Sequence, residues 1–263
     1  MLLIDSHTHT FLRGPEDLEA MAIAGIEAVA VCAFLPVTPS GPATLLDHFR
    51  WLDEVERARL AELGLAMRLA VGVHPRCIPD SGLDLVLARV EALLNSRAAV
   101  AVGEVGLETG SEREREVLAA QLRLAQAAGV RAIVHTPRKN KAEALAATIR
   151  LIEAEGIDPS RVVLDHLTPD LVAEAERIGV WIGLTVQPGK LTYESLSQLV
   201  FERGPERLLV NSDLSHAPSD PLTVARVARF LWRAGHPAES IEKVTHRNAA
   251  KVLRLHESAA NGR

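Results

Sequence analysis

The stretch Leu2-Leu3-Ile4-Asp5-Ser6-His7-Thr8-His9 decides the reading of this chain. It is short and aliphatic and lies almost at the start, so it predicts a β-strand over 2–6 with two histidines at its end. On a strand, residues two apart point to the same face. His7 and His9 therefore bring two imidazoles to one point, where both can reach a single metal ion. Other candidate ligands recur downstream, each at the end of another apolar run: Glu104, His135, His166 and Asp213.

Outward from that first strand, apolar runs and amphipathic stretches alternate to the end of the chain. Strands are predicted over 2–6, 28–33, 68–73, 99–103, 132–134, 162–165, 180–186 and 208–212. Most are continuous aliphatic runs, the pattern of parallel strands buried on both faces. Helices are predicted between them. One covers 46–63, with Phe49, Leu52, Val55 and Leu60 as its apolar side, and others cover 113–128, 141–155 and 240–255. Asp220-Pro221 reads as an N-cap followed by proline at the first helical position. Strands and helices alternating over this length predict an α/β fold, a (β/α)8 TIM barrel in a single domain over 1–263. The rival is a doubly wound open sheet. Such a sheet usually carries a glycine-rich first turn, whereas the first turn here is His-Thr-His.

Composition sets the bounds. The 263 residues are 48% hydrophobic and 24% charged, a globular balance. No run approaches the ~18 apolar residues of a spanning helix, and Asp5 and His7 interrupt anything resembling a signal peptide. With Cys32 and Cys77 as the only cysteines, no disulfide framework is expected. Both read as small buried thiols, and the compartment as the cytoplasm. The net charge of −5 argues against non-specific nucleic-acid binding, although bound divalent ions would offset part of it locally. No membrane association and no obligate protein partner are expected.

In a (β/α)8 barrel the C-terminal strand ends share one mouth. His7, His9, Glu104, His135, His166 and Asp213 are therefore expected to converge there as metal ligands. Imidazoles and carboxylates suit zinc and similar cations. Glu104 is expected to bridge two ions, and Asp213 to bind one of them and accept the proton of an attacking water.

The same stretches resemble the TatD-like branch of the amidohydrolase superfamily. The matching segments are Asp5-Ser6-His7-Thr8-His9, Gly72-Val73-His74-Pro75, Gly103-Glu104-Val105-Gly106-Leu107, Ile133-Val134-His135-Thr136, Asp165-His166 and Asn211-Ser212-Asp213. Thr245-His246-Arg247-Asn248-Ala249 looks like the start of the family's last helix. The resemblance implies two divalent metal ions (Zn, Mn, Mg or Ni) and hydrolysis, often of phosphodiesters in DNA. It is strongest to a subgroup of uncharacterised metal-dependent hydrolases that shows stretches like Gly106-Leu107-Glu108-Thr109-Gly110 and Leu184-Thr185-Val186-Gln187-Pro188-Gly189-Lys190. Four residues at three places depart from the typical nucleases. Glu108 stands where they have Asp, Leu167-Thr168 where they have Cys or Ser then Phe, and Arg76 where they often have His. The metal centre is thus kept better than its surroundings.

Cations gather in the predicted βα loops: Arg13, Arg76, Arg138, Lys139, Lys141 and Lys190. Guanidinium forks match phosphate and carboxylate oxygens, so the expected substrate is an anionic small molecule or a nucleic acid. His74, Arg76, Arg138 and Lys190 are expected to bind it. His48, His216, His236, His246 and His256 lie in predicted helices or loops and most read as surface or capping residues, with His216 nearest to Asp213. Two alternatives stand beside the phosphoesterase. One is hydrolysis of a lactone, amide or other small carbonyl substrate, and the other is a catalytically silent barrel acting as a scaffold.

Overall fold

The structure, a computed structural model, describes residues 1–255; His256 and the residues after it lie outside the described part. Eight strands pair in sequence order, every pair parallel. They are β1 (Leu3–Thr8), β2 (Ile26–Cys32), β3 (Ala66–Val71), β4 (Ala101–Gly106), β5 (Arg131–His135), β6 (Val162–Leu164), β7 (Trp181–Thr185) and β8 (Leu208–Asn211). The first and last strands meet and close the cylinder. Asp213 N donates to His7 O at 3.1 Å and His9 N to Leu214 O at 2.7 Å. The Ser6 hydroxyl adds a bond to Val210 O at 3.0 Å.

Helices alternate with the strands. They are α1 (Pro15–Ile23), α2 (Pro42–Trp51), α3 (Arg57–Glu62), α4 (Leu83–Asn95), α5 (Glu112–Ala127), α6 (Lys141–Ala154), α7 (Pro169–Ile178), α8 (Tyr193–Arg203), α9 (Thr223–Arg233), α10 (Ala238–Glu242) and α11 (Asn248–Val252). They bury one stripe each. In α9 the stripe is Val224, Val227, Ala228 and Leu231, the three-and-four spacing of a helix face. The barrel interior mixes Ala28, Ala30, Ala70 and Ala101 with Ile4 and Ile133, so small side chains leave room for large ones. Val252, the last residue of α11, and Leu253 after it pack against that interior. Arg131, at the start of β5, donates to Val252 O, which places this helix at the end of the barrel away from the strand C-termini.

Several boundaries differ from expectation. Glu104 lies within β4 rather than after it, because β4 keeps pairing with β5 as far as Gly106 and His135. His7 likewise lies inside β1. The helix expected over 46–63 contains a π-helical turn, Leu52–Glu56, between α2 and α3. The extra residue rotates the face, so Val55 is exposed and Glu56 is buried instead. Glu56 accepts from Thr10 Oγ1 at 2.6 Å and from Arg59 Nε at 2.9 Å. Asp220 does not cap a helix. Its carboxylate accepts from Leu222 N in a turn, and α9 begins at Thr223. The last predicted helix is likewise split by a π-helical turn, Lys243–Arg247. His48 is buried rather than on the surface.

Candidate metal centre

Glu104 is the hub of the strand ends. β4 carries it into the barrel mouth, where it is 3% exposed. Its two oxygens face different partners. Oε2 lies 3.5 Å from His7 Nε2 and 3.5 Å from His9 Nε2. Oε1 lies 3.0 Å from His135 Nδ1, 3.1 Å from His166 Nε2 and 3.9 Å from His74 Nε2. Asp213 closes the ring, with Oδ1 3.4 Å from His9 Nε2. All six residues expected as ligands are thus brought together. His166 and Asp213 are held there in left-handed backbone, at φ 62° and 47°. For a residue with a Cβ this conformation costs roughly 1–3 kcal/mol and is found where surrounding structure enforces it.

Hydrogen bonds select which nitrogen each imidazole offers. The His7 Nδ1–H donates to Asp165 Oδ2 at 2.7 Å, and the His9 Nδ1–H to the Cys32 carbonyl at 2.9 Å. A carboxylate or carbonyl oxygen only accepts, so in both rings the bare nitrogen is Nε2. The His7 Nε2 is buried with no hydrogen-bond partner among the described residues. A buried lone pair left open beside a carboxylate and further imidazoles is a donor set fitted to a divalent cation. Ligand atoms lie within 4.8 Å of one another in His7–His9–Glu104, in His7–His166–Asp213 and in His74–Glu104–His135. His74 differs from the others. Its Nδ1 accepts from Arg76 N at 3.1 Å, so the neutral ring carries its proton on Nε2 and offers Glu104 a donor.

The electrostatics match. Burial opposes ionisation of Glu104, but facing His7 and His74 and the close nitrogens of His135 and His166 hold its carboxyl well below the usual range. Burial likewise opposes ionisation of Asp213, but Lys190 together with His9, His166 and His7 holds its carboxyl well below the usual range, with Lys190 Nζ 2.6 Å from Asp213 Oδ2. Asp5, buried behind the centre, goes the other way. Desolvation raises it to about 7 against hydrogen bonds from Ser212 and His7.

Above the hub opens a cavity of about 410 Å³. Arg76, Arg138, Lys139 and Lys190 line it, with Phe34 and His216. The Arg76 guanidinium lies 5.0 Å over the Phe34 ring, and His216 stacks on the same ring at 6.4 Å. Gly189, in left-handed backbone at φ 81°, makes the turn that brings Lys190 in. The other cations of the expected set sit elsewhere. Arg13 pairs with Asp17 and the Ser215 carbonyl. Lys141 binds the carbonyls of Thr136 and His166, and burial, then Lys190 and Arg138, lower it to about 8. His74 is buried beside His135 and Phe34. His236 and His246 bind Ser197 and Glu27, outside the cavity. Both cysteines are buried thiols, as expected.

Sequence reasoning missed several residues of the site. Glu108 Oε2 lies 3.2 Å from His135 Nε2 and 3.7 Å from Arg76 Nε. Asp165, Thr185 and Asn211 form the layer behind His7 and His166. The available signal was position, since each stands at a strand end within a few residues of a ligand or of Lys190.

A family model described as TatD related DNase matches residues 4–254. The chain is 35% identical over 254 residues to an uncharacterised metal-dependent hydrolase of Methanocaldococcus jannaschii, covering 96% of this chain and all of that protein. Among solved structures, a TatD-like protein from Archaeoglobus fulgidus superposes with a TM-score of 0.82 at 35% identity, over 95% of this chain and 99% of that one. A TatD homologue from Escherichia coli shares the fold, with a TM-score of 0.69 at 20% identity over 96% and 98% of the two chains. With donor atoms converging at the barrel mouth and matches that span nearly the whole chain, the protein belongs to the TatD family of metal-dependent hydrolases.

Proposed function

We propose that the protein hydrolyses a phosphoester, with phosphodiesters, nucleic acid included, as the substrate class, using two divalent cations. The observation that carries this reading is a cavity whose floor is the Glu104 hub and whose wall holds Arg76, Arg138, Lys139 and Lys190. His7, His9 and Asp213 would hold one ion, His135 and His166 the other, with one oxygen of Glu104 turned to each group. Among Zn, Mn, Mg and Ni, imidazole donors suit Zn and Ni best, and the carboxylates suit Mn and Mg. When bound, the ions supply Lewis acidity to a phosphoryl oxygen and lower the pKa of water.

The chain's own groups do the rest. Arg76 and Arg138 bind the non-bridging oxygens of the substrate through charge-assisted hydrogen bonds. Asp213, kept ionised beside Lys190, accepts the proton of the attacking water at its carboxylate. Lys190, within reach of both Asp213 and the cavity, adds positive charge where the leaving oxygen develops its negative charge. His74 turns its Nε2–H toward the Oε1 side of Glu104 from 3.9 Å, too far for a hydrogen bond. Among the described residues no helix is long and apolar enough to cross a membrane, and an anion approaching from water is the partner this mouth suits.

The test is a panel run on metal-loaded protein: aryl phosphodiesters, aryl phosphomonoesters and a DNA oligonucleotide against lactones and cyclic amides. Turnover of a phosphoester is expected, with Arg138→Ala raising KM more than it lowers kcat. Turnover confined to lactones or amides would replace the reading with carbonyl hydrolysis. Retained metal without turnover of any class would favour a silent scaffold.

A further inference from the structure

Behind the two groups of ligands runs a buried chain of hydrogen bonds that joins them. His166 Nδ1 lies 2.7 Å from Thr185 Oγ1, and Thr185 Oγ1 lies 2.8 Å from Asn211 Oδ1. Asn211 Nδ2 lies 2.9 Å from Asp165 Oδ1, and Asp165 Oδ2 lies 2.7 Å from His7 Nδ1. Thr185 and Asn211 are 0% exposed and Asp165 is 1% exposed.

The proton positions along this chain follow from one end. Asp165 accepts at both oxygens, which requires a donor from each neighbour. Asn211 must therefore turn its NH2 toward Asp165, since its carbonyl there would face a carboxylate oxygen. That leaves the Asn211 carbonyl facing Thr185, so the Thr185 hydroxyl donates to it. With its one proton spent, the Thr185 oxygen accepts, and the remaining neighbour, His166 Nδ1, must donate. The proton of His166 thus sits on Nδ1, and its Nε2 lone pair faces Glu104 Oε1 at 3.1 Å, two acceptors that a cation between them would reconcile. Lys190 Nζ, 3.0 Å from His166 Nδ1, then makes its hydrogen bond to Asp213 Oδ2 instead.

We propose that Thr185 and Asn211 are positioning residues of a relay, anchored on Asp165, that locks His7 and His166 in the same tautomer so that one imidazole of each ligand group presents its Nε2 lone pair to a cation. The assignment rests on the reading of His7 and His166 as ligands of two ions. Thr185 touches only the His166 arm, whereas Asn211 supports both arms, one through Thr185 and one through Asp165. The two substitutions therefore have different expected outcomes. Such outer contacts to liganding histidines are worth about 10–100-fold in metal affinity.

The experiment compares wild type with Thr185→Val, Thr185→Ser and Asn211→Leu. Zn(II) affinity and stoichiometry are measured by competition with a chromophoric chelator, and imidazole tautomers by nitrogen-15 NMR of the metal-free protein. Thr185→Val keeps the shape and removes the hydroxyl. It should weaken one Zn(II) by about 10–100-fold, leave the other unchanged, and allow His166 to populate its other tautomer. Thr185→Ser should restore both readouts, and Asn211→Leu should weaken both ions. Unchanged Zn(II) affinity in Thr185→Val, or a wild-type His166 protonated on Nε2, would overturn the relay. If Thr185→Val does not fold, the wild-type tautomer and Thr185→Ser still decide. A wild type with the Nδ1–H tautomer that binds no Zn(II) would refute the two-cation reading while leaving the hydrogen-bond relay standing.

Discussion

His48 provides a test of the fold that does not involve the metals. It sits on α2 with 8% of its surface exposed. The Phe11 ring packs edge-on at 4.9 Å, and His48 Nε2 has no hydrogen-bond partner among the described residues. Burial, with a smaller contribution from facing His9, lowers its pKa from 6.5 to about 4. The unfolded chain therefore takes up a proton near pH 6.5 that the folded chain refuses until about pH 4. Over that window the unfolded state binds more protons, so stability falls as pH falls, and the loss stops below the folded value. At roughly 1.4 kcal/mol for each pH unit, the window removes roughly 3 kcal/mol. His48→Leu keeps the volume and deletes the titration. Urea unfolding of chelated wild type and variant at pH 7 and pH 4 is the assay. The variant should gain about 1–3 kcal/mol at pH 7 from losing an unpaired buried polar atom, and its advantage should widen by roughly 3 kcal/mol at pH 4. Carboxylates titrate alike in both proteins and cancel. An advantage that does not change with pH would show that folded His48 protonates normally, and the reasoning from its burial would fail.

Two further outcomes are expected. A Cβ on Gly183 would stand 2.0 Å from Asp165 Oδ1. Gly183→Ala should therefore cost at least about 1–3 kcal/mol in urea melts and loosen Zn(II) together with the His7 anchor; a melt matching wild type would remove the close approach from the account. Glu104→Gln should purify folded by circular dichroism, with most of its metal lost in elemental analysis and no measurable turnover, because both ligand groups share that carboxylate. Full metal content in that variant would contradict the hub.

Much of the site was legible in the sequence because strands obey a period of two and a barrel gathers its strand ends. His7 and His9 announced themselves by spacing alone. His135, His166 and Asp213 did so by ending apolar runs, and Glu104 was found even though it proved to lie inside β4. The cation rim was half legible. Arg76, Arg138, Lys139 and Lys190 reach the cavity, but Arg13 and Lys141 are spent on carboxylate and carbonyl oxygens. Nothing in the one-dimensional pattern separates a loop cation that faces the cavity from one turned away from it.

The sequence by itself determined the order of strands, the residue types at their ends and hence the family of chemistry, since these depend on local periodicity and on residues a few positions apart. Only the tertiary structure decided which nitrogen of each imidazole faces the cavity, which Glu104 oxygen serves which histidines, that a π-helical turn buries Glu56 in place of Val55, and that His48 is sealed. These are set by partners far off in the chain. His7 takes its tautomer from Asp165, 158 positions away, and Asp5 meets Ser212 across the closing seam, 207 positions away. A hydrogen bond fixes a proton only when both atoms are held within about 3 Å, and for these residues the closed cylinder does the holding.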